Sequence, residues 1–250
     1  MVEEVHVGLL APKLVPTMVR SVLTSLTEEP LFAPTHGSED ERKRIPYDSE
    51  RVIEAAERGP VELWRTKAPH YRGSLITNRD GRNCLKLSYE SAPSASQLPA
   101  IFEGTERLAN VLRPEFGFVH LFWLQEPARE AYNFGYRLQA RDLDPVGIGN
   151  VHARTWFGPY LVELIGKPLL LALPSAVEMV WGGIQVDLVA NPWLATAETL
   201  WEAQNKLMKQ LRARGVVGTF NGPPMRWKPG PRWVSPGWEP RKRGKHGNHP

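Results

Sequence analysis

VEMVWGGIQVDLVANPW, Val177 to Trp193, sets two adjacent glycines between two apolar runs, with a carboxylate on either side. A two-residue Gly182-Gly183 turn is a hairpin signal, because glycine reaches the positive φ that the tightest hairpin turns require. Folded there, the chain places Trp181 opposite Ile184, Met179 opposite Val186 and Val177 opposite Leu188, all apolar and on one face. The other face receives Val180 opposite Gln185 and Glu178 opposite Asp187. A continuous strand would instead switch its apolar face at the glycines, which a half-buried sheet does not tolerate. The stretch reads as a β-hairpin.

Like charges facing each other across a hairpin cost roughly a few tenths of a kcal/mol or more, so Glu178 and Asp187 ask for a cation. In a structural reading Lys86, an arginine on a neighbouring strand, or solvent answers them. In a functional reading a basic group on an incoming partner does.

The composition bounds the rest. A hydrophobic fraction of 42% over 250 residues is enough for a sizeable core. No apolar run reaches the roughly 18 residues of a membrane span. The opening MVEEVHVGLL starts acidic, and its apolar stretch is too short for a signal peptide. One cysteine, Cys84, excludes an internal disulfide framework and makes a reducing compartment the default. A soluble, cytoplasmic protein is expected.

The net charge of +4 divides unevenly. From Asn221 to Pro250 seven basic residues stand against Glu239 alone, a balance of +6, so Met1–Phe220 carries −2. The basic character belongs to a tail, and a partner steered to the body would be basic.

Apolar residues from Met18 to Leu26 recur at helical spacing behind Pro16. Ala33–Pro46, polar and bracketed by prolines, reads as an exposed loop. A helix with Asp48 as N-cap and Gly59-Pro60 as its stop follows. Val61–Thr66, Tyr71–Asn78 and Asn83–Glu90 read as strands, and a helix runs through Phe102, Leu108 and Leu112. Phe116–Leu124, apolar on both faces, reads as a central strand. Thr155–Ile165 reads as helix and Leu169–Leu173 as a buried strand. Asn191-Pro192 is expected to start the last helix, whose stripe is Ala197, Leu200, Trp201, Leu207, Met208 and Leu211, with Gly215 as the stop.

Enzyme signatures are absent. Gly147-Ile-Gly149 lacks the third glycine of a dinucleotide fingerprint, and Pro168 after Gly166-Lys167 rules out a phosphate loop. His120 reads as a hydrogen-bonded core histidine, Cys84 as a small buried residue, and His36 with Glu39, Asp40 and Glu41 as a solvated loop rather than a metal set. No cofactor and no metal is expected. Trp227, Trp233 and Trp238 interleave with the tail's cations, a pattern suited to stacking on single-stranded nucleic acid or to an extension that folds back on the domain.

TWFGPYLVELIGKPLLLALPS, then WGGIQVDLVANPW, then a helix ending LMKQLRARGVVGTF, resemble the immunity protein 52 family, found beside polymorphic and type VI secreted toxins. The match is clearest over Val151–Phe220 and weaker over Leu85–Pro127. Trp181, Gly182, Gly183, Asp187, Pro192 and Trp193 carry the shared pattern and look structural: turn, strand and helix start. The resemblance implies a cytoplasmic antidote that binds and blocks a cognate toxin of nuclease type, with no catalytic residue. An acidic surface suits a nuclease's basic cleft. The candidate contact residues are therefore Glu178, Asp187, Gln185, Glu39, Asp40 and Glu41.

The expected fold is α+β, an antiparallel or mixed sheet covered by helices over residues 1–220, with two similar strand–strand–helix halves as an option. Residues 221–250 are expected to form a flexible tail dispensable for folding, since seven of those thirty are proline. The alternative function is a nucleic-acid-associated protein acting through that tail, and a more distant one is a small-molecule enzyme without a recognisable motif.

Overall fold

Apolar and polar residues alternate along strands such as Tyr71–Ile76 and Cys84–Tyr89, giving a sheet with one face turned to a core. A computed structural model describes residues 2–11, 14–77, 83–123, 143–221 and 226–236. Nine strands form one sheet: β1 (Glu4–Leu10), β2 (His36–Ser38), β3 (Val61–Arg65), β4 (Tyr71–Ile76), β5 (Cys84–Tyr89), β6 (Phe116–Phe122), β7 (Arg154–Phe157), β8 (Ala176–Glu178) and β9 (Ile184–Asp187). Their order is β2-β3-β4-β5-β1-β6-β7-β9-β8, and every neighbouring pair is antiparallel. Six helices accompany them among the described residues: α1 (Pro16–Glu28), α2 (Ser49–Arg58), α3 (Leu98–Leu112), α4 (Pro159–Ile165), α5 (Lys167–Leu171) and α6 (Ala197–Ala213). A single helical turn at Leu143–Val146 and a 3-10 turn at Pro192–Leu194 complete the set. None of the helices is long and apolar enough to cross a membrane.

The two faces are covered differently. Val5, Val7, Leu9, Leu63, Leu85, Leu87 and Val119 point to the front, where they pack on α1, α2 and α3. Leu10, Phe116, Phe118, Phe157, Ile184 and Val186 point to the back, under α4, α5 and the later turns of α6. The runs β4–β5–α3 and β8–β9–α6 both read strand–strand–helix, yet their helices lie mostly on opposite faces.

Local chemistry explains the elements read correctly. Asp48 accepts from Arg51 N at 2.9 Å as the N-cap of α2, and Gly59 N closes the other end on Ala55 O at 3.0 Å. The strand Phe116–Phe122 lies between β1 and β7 with its residues through Leu121 buried. Other expectations give way. Arg154–Phe157 is strand, because Thr, Trp and Phe favour the pleated surface, and helix starts only at Pro159. The leucine run after Pro168 is helix rather than strand, a choice that a short apolar run leaves open. Asn191 caps nothing through its side chain; α6 starts at Ala197, with Thr196 accepting from Thr199 N at 3.2 Å. Within α6 Trp201 is 37% exposed, and Gln204 takes a core position by donating to Val151 O at 2.7 Å. Part of the supposed loop Ala33–Pro46 is the edge strand β2, with Gly37 and Ser38 buried.

Beyond Phe220 the described chain stays against the sheet domain. Thr219–Asn221 (β10) pairs with Arg226–Lys228 (β11), and the chain then turns back across the end of α6. Arg232 N donates to Gly215 O at 2.9 Å, and Gly230 lies so close to Gly215 that a Cβ there would strike its carbonyl. Trp233 packs against the rear core and meets Tyr160 edge-on, with ring centroids 6.5 Å apart. The first part of the tail is thus structural. Trp238 and the cations at 241–245 lie outside the described residues.

At the centre of the back face, His152 and His120 bring their Nδ1 atoms to 3.2 Å, both rings buried, with Phe118 tilted over His152 at 4.3 Å. Burial drives the His152 pKa from 6.5 down to about 3. Burial also lowers His6, although Glu4 pulls the other way.

Two outcomes follow from this packing. Ending the chain after Phe220 should cost about 1–3 kcal/mol, the worth of one large side chain's burial. Stability should also fall with acidification. The unfolded chain protonates His152 near pH 6.5 while the folded one resists to about pH 3, so the unfolded state gains protons across that window. Midpoints measured from pH 7 downward should drop, and His152→Gln should flatten the slope.

Candidate functional site

The loop that joins β8 to β9 differs from the two-glycine turn in register. Met179 N donates to Gly183 O at 2.9 Å, leaving Val180, Trp181 and Gly182 as a three-residue loop. Gly182 alone takes the left-handed conformation, with φ 86°, which fits a loop whose last residue needs positive φ. Glu178 therefore faces Ile184, and Val177 faces Gln185. This register lies an odd number of residues from the one expected, so Glu178 and Asp187 sit on opposite faces of the sheet. They never meet.

Asp187 belongs to a buried cluster on the front face. Arg154 stands opposite it on β7 and grips both carboxylate oxygens, Nε to Oδ1 at 2.6 Å and Nη2 to Oδ2 at 2.7 Å. The remaining nitrogen, Nη1, donates to Phe102 O at 3.1 Å and to Glu106 Oε2 at 3.2 Å. The guanidinium also lies over the Phe102 and Trp156 rings, 5.2 and 5.8 Å from their centroids. With side-chain exposures of 7% for Arg154 and 9% for Asp187, the pair is internal. Asp187 offers no charge to a partner, and the arginine on a neighbouring strand is the cation it asked for.

Gln185 is withdrawn as well, being 5% exposed with its Oε1 buried and unbonded. Glu178 stays at the surface on the back face and pairs with Lys167 at 2.6 Å, both about half exposed. The family-pattern residues support this corner. Trp181 packs on the front core, Pro192 is buried, and Trp193 meets Phe102 edge-on at 5.3 Å. The other acidic run lies at the far edge, beside β2, roughly 38 Å away across eight strand spacings. There Glu39 pairs with Arg58 at 3.0 Å, Asp40 with Lys43 at 3.8 Å and Glu41 with Arg72 at 3.4 Å. Two acidic groups so far apart do not form one compact contact.

The sequence reading missed a second constellation. On the back face the register lines up Trp64, Arg72, Ser88, His6 and His120 across five consecutive strands. Ser88 Oγ lies 2.6 Å from His6 Nδ1, and His6 Nε2 lies 2.8 Å from Glu4 Oε2. A serine, imidazole and carboxylate in sequence resemble a nucleophilic relay. Ser88 nonetheless sits mid-strand with ladders on both sides, where no pair of backbone N–H groups is spare to hold an oxyanion. The row ends at a cleft of about 590 Å³ beside β2, lined by Arg42, Arg44, Arg65 and Arg72 against Glu41 and Glu90, with buried Trp64 as its floor. Its signal was present in the outward positions of β3, β4 and β5, which alternate with the apolar ones. The tail's stacking platform is reduced by one ring, since Trp233 packs into the core.

No protein-family model matches the chain, and no curated protein matches it. Neither comparison assigns the chain to a family. Among solved structures the chain is similar to the Pseudomonas aeruginosa T6SS protein PA0821, with a TM-score of 0.52 and 14% identity. The similarity covers 94% of this chain and 81% of that one. At such identity it is a likeness of fold.

The buried pair makes a sharp stability test. Asp187→Ala should destabilise the protein by about 1–3 kcal/mol in denaturant unfolding, because Arg154 Nε and Nη2 lose their acceptors in the core while Glu106 stays on Nη1. Glu178→Gln, which breaks an exposed pair, should change stability by no more than about 1 kcal/mol. Equal effects from the two would place Asp187 at the surface.

Proposed function

We propose that this chain is a cytoplasmic immunity protein that binds a cognate secreted toxin and blocks it. The observation that carries the reading is the fold it shares, over nearly its whole length, with a protein of a type VI secretion system. The motif resemblance to the immunity protein 52 family points the same way and supplies the toxin class, a nuclease-type effector. Inhibition by occlusion needs a rigid, folded surface rather than catalytic groups, and a nine-strand sheet braced from both sides supplies one.

Charge enters this reading differently from the way composition suggested. Glu39, Asp40, Glu41 and Glu178 are exposed but each has a cation beside it, so acidic steering of a basic cleft is weak. Contact chemistry then rests on shape and on the cationic cleft beside β2.

The test is co-expression with the toxin encoded by the adjacent gene. Growth should be restored, and the two purified proteins should co-elute as one complex. Continued killing, with both proteins soluble and eluting apart, would remove the immunity reading.

A further inference from the structure

The cleft beside β2 holds more positive charge than its acids offset. Four arginines line it against Glu41 and Glu90. Arg72 is engaged by Glu41 at 3.4 Å and by Glu62 at 3.5 Å. Among the described residues no carboxylate pairs with Arg42 or Arg44, and both are exposed. Arg44 is positioned without being neutralised: its guanidinium carbon lies 5.9 Å from the centroid of the Trp64 ring, which is itself only 4% exposed. Stacked in this way, a guanidinium keeps its N–H edges for an incoming planar acceptor.

The geometry points to this cleft as an interaction surface for an acidic segment of the protein partner, an aspartate or glutamate received by Arg42 and Arg44 over Trp64. Charge complementarity selects that occupant. A carboxylate matches the guanidinium fork and satisfies the uncompensated charge, whereas a basic segment would add to it. The volume of about 590 Å³ accommodates a side chain with its flanking backbone, more than a single small ion fills. This inference rests on the immunity reading and reverses its polarity at this site, since a cation of the antidote meets an anion of the toxin. Because the arginines are solvent-accessible, their contribution falls mainly on the rate of association.

The experiment measures association of the full-length chain with the purified, catalytically silenced toxin of the adjacent gene, at low and high salt. The double variant Arg42→Glu/Arg44→Glu should melt like wild type and associate roughly tenfold more slowly at low salt, with the gap closing at high salt. If that variant melts lower, Arg42→Glu alone, which leaves Arg44 on Trp64, carries the test and should still slow association. Lys167→Glu at the opposite edge should leave the rate unchanged. Association of the cleft variants within about twofold of wild type would overturn the inference while leaving the immunity reading intact. Loss of association in Lys167→Glu alone would overturn it equally, by moving the contact to β8. Absence of binding by wild type would remove both readings. A single-stranded oligonucleotide that binds wild type but not the double variant would assign the cleft to phosphates and reject the protein partner.

Discussion

Burying a guanidinium is the constraint around which the second half of this protein is arranged. A charge taken out of water must be met on every side, and Arg154 is met by Asp187 on β9, by the Phe102 carbonyl and Glu106 on α3, and by the Phe102 and Trp156 rings. Those partners come from three separate parts of the chain. The cluster therefore fixes the β7–β9 register and the seat of α3 on the sheet together. Trp193 closes over Phe102 from the segment after β9, so the whole VEMVWGGIQVDLVANPW stretch is organised by a residue some twenty positions before it. Such clusters specify an arrangement more than they stabilise it, because an apolar replacement of the same shape would satisfy the core as well.

Elements with local punctuation were legible in the sequence. Helix α2 carries its own cap and stop in Asp48 and Gly59, and β5 alternates cleanly from Leu85 to Tyr89. The hairpin was legible as a hairpin but not in register, since either of two adjacent glycines can supply the one positive φ that the loop uses. Strand β7 was hidden because it runs directly into a helix start at Gly158-Pro159, so one continuous segment reads as helix. With β7 misread, the partner of Asp187 had no place to stand. The central strand β1 was passed over because its seven residues were weighed as a targeting segment rather than for alternation.

Surface charge was the least legible quantity, and the reason is pairing rather than count. A body of −2 suggests an acidic surface, yet its most acidic loop and its hairpin each bring a cation within reach of every acid singled out. What remains uncompensated is set by three-dimensional neighbours. Here it is a pair of arginines from the same loop as the acids, Arg44 over a tryptophan on β3 and Arg42 beside it along the cleft.

The position of β1 has a further consequence during synthesis. The first strand to be made is the fifth in the sheet, and both of its partners come much later, β5 at Cys84–Tyr89 and β6 at Phe116–Phe122. At translation rates of roughly 5–20 residues per second, β1 waits on the order of ten seconds for its second edge. During that time it presents two unpaired backbone ladders and the apolar side chains Val5, Val7 and Leu9. The helices α1 and α2 and the hairpin β3–β4 are local and can form early, but the sheet cannot close around its centre until about half the chain has left the ribosome. Nascent chains should therefore be most dependent on chaperones before residue 122, and an amino-terminal fusion that sequesters β1 would interfere with assembly long before it touched any binding surface.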